Sequence, residues 1–176
     1  MNSARSSSNL SQNETTENSL LEWINSFSVD SKPMTFDSLF TGVALYEVLK
    51  KIDIIYWPLN KLQKVSGHTP HSAIAKISIQ NFQQIVSGLE LFYQDRQDAI
   101  INNQTVLYDL EGLVRDKDFA TLIGIVELIM GVVVNSEDKH QYIEKILQLE
   151  EKTQEDLKKL IERSLTRLQM EFAEAS

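Results

Sequence analysis

From Glu137 to about Phe172 the chain contains neither Gly nor Pro, and its apolar residues recur at three- and four-residue steps. A run that long without a breaker dictates helix. Tyr142, Ile143, Ile146, Leu147 and Leu149 mark its first part, a polar stretch from Glu150 to Asp156 follows, and Leu157, Leu160, Ile161, Leu165, Leu168 and Phe172 form a second stripe. About 35 residues is far above the usual helix length of about 11–12. The run therefore reads either as two helices or as one kinked helix.

The rest of the chain carries the same period. With 6 Gly and 3 Pro among 176 residues, and no alternating pattern long enough for a strand pair, it reads as all-α. Residues 1–17, rich in Ser, Asn, Thr and Gln, read as a disordered leader. Ser19-Leu-Leu-Glu22 has the spacing of a capping box and predicts a short helix to about Phe27. Val29–Met34 is a loop, and a helix is expected over about Thr35–Ile52, with Asp37 in its first turn and Lys50 and Lys51 in its last. Ile54–Lys64, apolar but aperiodic, is expected to cover the core. Thr69-Pro70 predicts a helix start near His71, with the helix ending near Tyr93. A short helical piece is expected around Val106–Leu113, and Asp116 or Asp118 can cap the apolar helix Phe119–Val134.

Composition excludes several functions. Acids outnumber bases 25 to 17, a net charge of −8 that argues against nucleic acid and against adsorption to anionic membranes. The absence of Cys removes disulfides, thiolate chemistry and Cys-type zinc sites. The N-terminus has no apolar core of a signal peptide, and Phe119–Val134, interrupted by Glu127, is too short for a bilayer. The chain thus reads as cytoplasmic, without membrane insertion, and the glycosylation patterns at Asn9, Asn13 and Asn103 read as chance matches.

No catalytic constellation emerges, so an enzyme is not expected and neither is a cofactor. His68, His71 and His140 read as exposed side chains, because Pro70 disrupts helical pairing and no Cys completes a metal site. The glycines are scattered singly, without a phosphate loop, and Asp116-Lys-Asp118 lacks the other ligands of a calcium loop. What does stand out is the last stripe, which follows a helical unit that already looks complete. It can fold back on the core, begin a coiled coil, or line a groove for an amphipathic helix. In the last two cases Gln154 can fix a partner's register by hydrogen bonding.

Four stretches carry a family resemblance. Three are Asn18-Ser-Leu-Leu-Glu-Trp-Ile-Asn-Ser-Phe27; Leu39–Asp53, with Gly42-Val-Ala-Leu45 and Val48-Leu-Lys-Lys-Ile-Asp53; and Ile77–Tyr93, with Asn81, Phe82, Ile85 and Leu89. The most specific is Leu128–Glu151, an apolar helix with a Gly, an Asn-x-Glu-x-Lys turn, Gln-Tyr-Ile and a closing Leu-Glu-Glu. Together they resemble the Hook N-terminal domain, a variant calponin-homology fold. Departures are Ser136, where that family carries a Cys, Thr41-Gly42 in place of Asp-Gly, and a non-matching Lys64–Ala73.

The resemblance implies an all-α, calponin-homology-like bundle over 18–151 and a C-terminal extension helix, 152–176, leading toward a coiled coil. It implies a non-catalytic adaptor that binds the C-terminal helix of the dynein light intermediate chain. Contact with dynein–dynactin would come through the downstream coiled coil, linking cargo such as endosomes to microtubule-based transport. The full-length protein would be a coiled-coil homodimer associated with the microtubule cytoskeleton. Aligned on Glu150-Glu151, the family's partner-helix positions fall on Gln154, Leu157, Lys158 and Ile161, with Leu160 beside them; Lys158 stands where animal proteins are apolar. The competing readings are a direct microtubule- or actin-binding domain using Lys50, Lys51, Lys61, Lys64 and Lys76, and a Girdin-like scaffold.

Overall fold

Apolar faces at helical spacing can be satisfied only by other helices, and every regular element among the described residues is helical. The structure, a computed structural model, describes residues 3–97 and 109–175. Among these described residues seven α-helices follow in order: α1 (Ser3–Ser26), α2 (Val43–Ile52), α3 (His71–Gln97), α4 (Leu110–Asp116), α5 (Phe119–Asn135), α6 (Lys139–Leu147) and α7 (Glu151–Ala175). The apolar α5 lies at the centre, with Ile125, Val126, Ile129, Met130, Val132 and Val133 all buried. Around it Trp23, Ile24, Leu45, Leu49, Phe82, Ile85 and Phe92 complete one core from α1, α2 and α3.

Several expectations hold locally. Asp118 caps α5, accepting from the Ala120 amide at 3.1 Å and the Thr121 hydroxyl at 2.7 Å. Val29–Met34 is a loop, held by the buried Glu47 carboxylate, which accepts from the amides of Asp30 at 2.7 Å and Ser31 at 3.3 Å. Ile54–Lys64 does cover the core. Trp57 is fully buried against Gly88 and donates through Nε1 to the Ile85 carbonyl at 3.2 Å. His68, His71 and His140 are exposed.

Other expectations need correction, and one open choice is decided. The segment expected to be a disordered leader is helical from Ser3. It lacks Gly and Pro, and once Leu20, Trp23, Ile24 and Phe27 anchor a helix, adding residues upstream costs little. Ser19 and Glu22 therefore sit inside α1 and do not cap it.

The helix expected over Thr35–Ile52 breaks at Gly42, whose φ of 75° is left-handed, into a 3₁₀ turn (Phe36–Thr41) and α2. Asn81 enforces the break. Its amide donates to the carbonyls of Thr41 at 3.0 Å and Gln63 at 2.8 Å, so the chain must turn beside it.

Helix α3 runs past Tyr93 to Gln97, because Arg96 finds Asp53 at 3.5 Å and Glu137 at 2.9 Å. The piece expected at Val106–Leu113 is described only from Asp109, where α4 begins with Asp109 accepting from the Gly112 amide at 2.7 Å; residues 98–108 lie outside the described residues.

The long breaker-free run is two helices, divided at Gln148–Glu150. The polar stretch from Glu150 is the first turns of α7, not an interruption within a helix. Helix α7 is also no mere appendage to the bundle: its main packing partners are α1 and α5.

Candidate functional site

Helix α7 carries two stripes that meet different surroundings. Leu157, Leu160 and Ser164, at i, i+3 and i+7, turn inward and are 0%, 3% and 1% exposed. Close approach to α5 depends on Gly131. A Cβ there would lie 2.0 Å from Tyr93 Oη and 2.6 Å from Ser164 Oγ. Polar contacts fix the register. Arg163 lies 3.7 Å from the buried Glu127, Ser19 Oγ donates to Asp156 at 2.7 Å, and Glu22 accepts from the Glu150 amide at 3.0 Å and from Thr153 Oγ1. The Ser19/Glu22 pair, read in sequence as a local cap, thus ties α1 to the N-terminus of α7. A carboxylate there also complements that helix's dipole.

The second stripe, Gln154, Lys158 and Ile161, faces a groove of about 500 Å³ between α7 and α6. Helix α6 supplies the opposite wall and likewise has two stripes. Tyr142 and Ile146 point inward, whereas Ile143 and Leu147, one residue on, are 37% and 63% exposed along the groove. The helix is held from below by two carbonyl contacts at helix ends. Tyr142 Oη donates to the Lys51 carbonyl at 3.2 Å, and Lys145 Nζ donates to the Ser26 carbonyl at 3.2 Å while lying 4.9 Å above the Phe27 ring. Burial, with Asp138 and Asp53 nearby, pushes the Tyr142 hydroxyl above its ordinary pKa, so it stays a donor well into alkaline pH.

Gln154 sits at the corner where the two helices join. Its Nε2 donates to the carbonyls of Leu147 at 3.2 Å and Leu149 at 2.8 Å. Those acceptors are the last carbonyl of α6 and one in the turn after it, so the side chain braces the corner between the groove walls. Among the described residues its Oε1 makes no hydrogen bond and remains free to accept one.

Of the five residues the sequence nominates for partner binding, three come together here: Gln154, Lys158 and Ile161. Leu157 and Leu160 do not. They are core residues, because the inward stripe is the one that answers α1 and α5. Sequence reasoning missed Ile143 and Leu147 as groove walls. Their signal was present: Tyr142-Ile143 and Ile146-Leu147 form two adjacent i, i+4 pairs, more apolar surface than one buried face needs. Leu168 and Phe172 lie beyond the described side chains.

Among the described residues no three His, Asp or Glu side chains gather to hold a metal ion. No single described helix is long and apolar enough to cross a membrane.

The comparisons with known proteins agree with this architecture. Residues 15–163 match the HOOK domain family, a span that crosses from α1 well into α7. The chain is 35% identical over 136 residues to Protein Hook homolog 3 of Mus musculus, covering 77% of this chain and 18% of that protein, with the same values for the Homo sapiens protein. Protein hook of Drosophila virilis is 24% identical over 147 residues, covering 82% of this chain and 21% of that protein. The chain thus spans about a fifth of the length of these relatives. The solution structure of the conserved domain of mouse HOOK1 superposes with a TM-score of 0.73 at 24% identity, covering 86% of this chain and 91% of that one. The fold is therefore a calponin-homology-like helical bundle with a long C-terminal helix. With α7 built into the core and the matched span running to residue 163, this chain belongs to the HOOK domain family.

Proposed function

We propose that the domain is a non-catalytic docking module whose α6–α7 groove takes up one amphipathic helix, that of the C-terminal tail of the dynein light intermediate chain. The observation that carries the reading is the apolar wall pair Ile143/Leu147 and Ile161, left partly exposed across the groove between α6 and α7. A soluble chain keeps such a face when something else covers it. The partner sets apolar anchors between Ile161 and the α6 wall. Gln154 Oε1 accepts one of its free first-turn amides, and Lys158 lays its methylene stem along its side.

Leu157 and Leu160 act one step back, by holding α7 on the core so that Ile161 faces the groove. Burying a few hundred Å² at about 25 cal/mol per Å², less the cost of ordering the peptide, leaves an affinity of roughly micromolar. In the whole protein the same docking joins cargo, such as endosomes, to dynein–dynactin for movement along microtubules. The downstream coiled coil makes the homodimer and the further motor contacts.

The test is fluorescence anisotropy with a labelled light-intermediate-chain helix. Wild type binds and Ile161→Asp does not, while circular dichroism shows both equally folded. Equal binding by a folded Ile161→Asp protein would sink the assignment.

A further inference from the structure

The groove is acidic along its α7 edge. Glu151, Glu155 and Glu162 line it against a single cation, Lys158. At i, i+4 and i+11 the three carboxylates lie along one side of the helix, over roughly 16 Å or three turns. Glu151 and Glu162 make no ion pair among the described residues. Glu155 has only a 4.0 Å contact with Lys152, which lies closer to Asp156, at 3.1 Å. Lys158, set between Glu155 and Glu162 in sequence, forms an ion pair with neither. Three like charges beside exposed apolar walls raise the local negative potential, and the chain's net charge of −8 adds to it.

Resting on the docking reading above, we infer that the groove selects its occupant by charge: the partner is an amphipathic helix of about three turns whose apolar anchors are flanked by Lys or Arg. Such a helix buries its apolar face against Ile143, Leu147 and Ile161 while its cations lie along the carboxylate edge. An acid-flanked helix with the same anchors is turned away by repulsion, which makes the edge a specificity device as well as an attractive one. Because the carboxylates are exposed, the preference shows mainly in association rate and in salt dependence.

The experiment uses the intact chain and three versions of the light-intermediate-chain helix, with anchors unchanged and flanking positions all Lys, all Gln or all Glu. At low ionic strength the Lys-flanked peptide binds about tenfold tighter than the Gln-flanked one, and the Glu-flanked peptide binds weakest. At about 0.5 M salt the differences shrink to about twofold. The double variant Glu155→Lys/Glu162→Lys reverses the order, and circular dichroism shows it as folded as wild type. Equal affinities for the Lys- and Glu-flanked peptides at low salt overturn the inference, as does an order that survives the double variant. The docking reading fails separately: if no peptide binds, or if Ile161→Asp leaves the Gln-flanked peptide's affinity unchanged, that reading falls and this inference with it.

Discussion

The two stripes of α7 share one helix and the same three- and four-residue steps, yet they face different environments. Leu157 and Leu160 meet α1 and α5 and are lost to solvent; Ile161, one residue beyond Leu160, is only half-buried and looks across a groove at Ile143 and Leu147. The difference teaches that an apolar stripe reveals how much surface wants covering, not which element does the covering. A helix touched by neighbours on two sides keeps one stripe for stability and leaves the other for recognition.

The comparison can be broken first where the expected effect is largest. Leu157→Ala opens a cavity inside the bundle and should cost about 2–5 kcal/mol in urea unfolding. A loss below about 0.5 kcal/mol would mean that the inward stripe does not hold the fold. Gly131→Val puts side-chain atoms where Tyr93 Oη and Ser164 Oγ already lie. It should cost at least about 1–3 kcal/mol by forcing α5 and α7 apart, and thermal denaturation would register it. Glu22→Ala removes the acceptor for the Glu150 amide and Thr153 and should cost about 1 kcal/mol, with faster amide exchange in the first turn of α7.

Ile161→Asp sits at the other end of the contrast. Its effect on unfolding should stay near 1 kcal/mol, because the side chain is only partly buried, while helix binding falls by at least about tenfold. If unfolding and binding instead drop together as they do for Leu157→Ala, the two stripes are not functionally distinct. The smallest effect concerns pH. Tyr142 has a folded-state pKa raised above its ordinary value of 10.0, so the folded state holds its proton more tightly than the unfolded chain does. Its contribution is fully present below about pH 10 and is lost as pH rises through the raised value. Stability should therefore fall in that alkaline window as α6 loses its bond to Lys51, and Tyr142→Phe should flatten that arm of the profile.

Much of the architecture is legible in the residues because it rests on local rules. The apolar period of Phe119–Val134 and the Asp118 cap lead directly to α5. The absence of Gly and Pro after Glu137 predicts the long helical run, which the turn at Gln148–Glu150 divides. The errors fall where a distant partner outweighs a local pattern. Ser19-Leu-Leu-Glu22 has the spacing of a cap, but those side chains reach Asp156, Glu150 and Thr153, more than a hundred residues away. Gly42 sits in a helical pattern, yet Asn81 and the Gln63 backbone determine that the chain turns there.

The candidate site divides the same way. Gln154 and Ile161 are readable because the family resemblance, aligned on Glu150-Glu151, falls on them, and the apolar stripe of the same helix agrees. Leu157 and Leu160 have the same signature and a different fate. Ile143 and Leu147 look like ordinary core. No one-dimensional pattern separates these, since the period of 3.6 residues specifies which side chains share a face but carries no information on what that face meets.

By itself the sequence determined most of the helices, the Asp118 cap, an acidic composition without thiol chemistry and a long amphipathic run after Glu137. Only the tertiary structure decided which half of that amphipathic surface is core and which is groove. Burial is a property of pairs of elements, and the main elements that meet α7 are α1, distant in sequence, and α5, at the centre of the bundle.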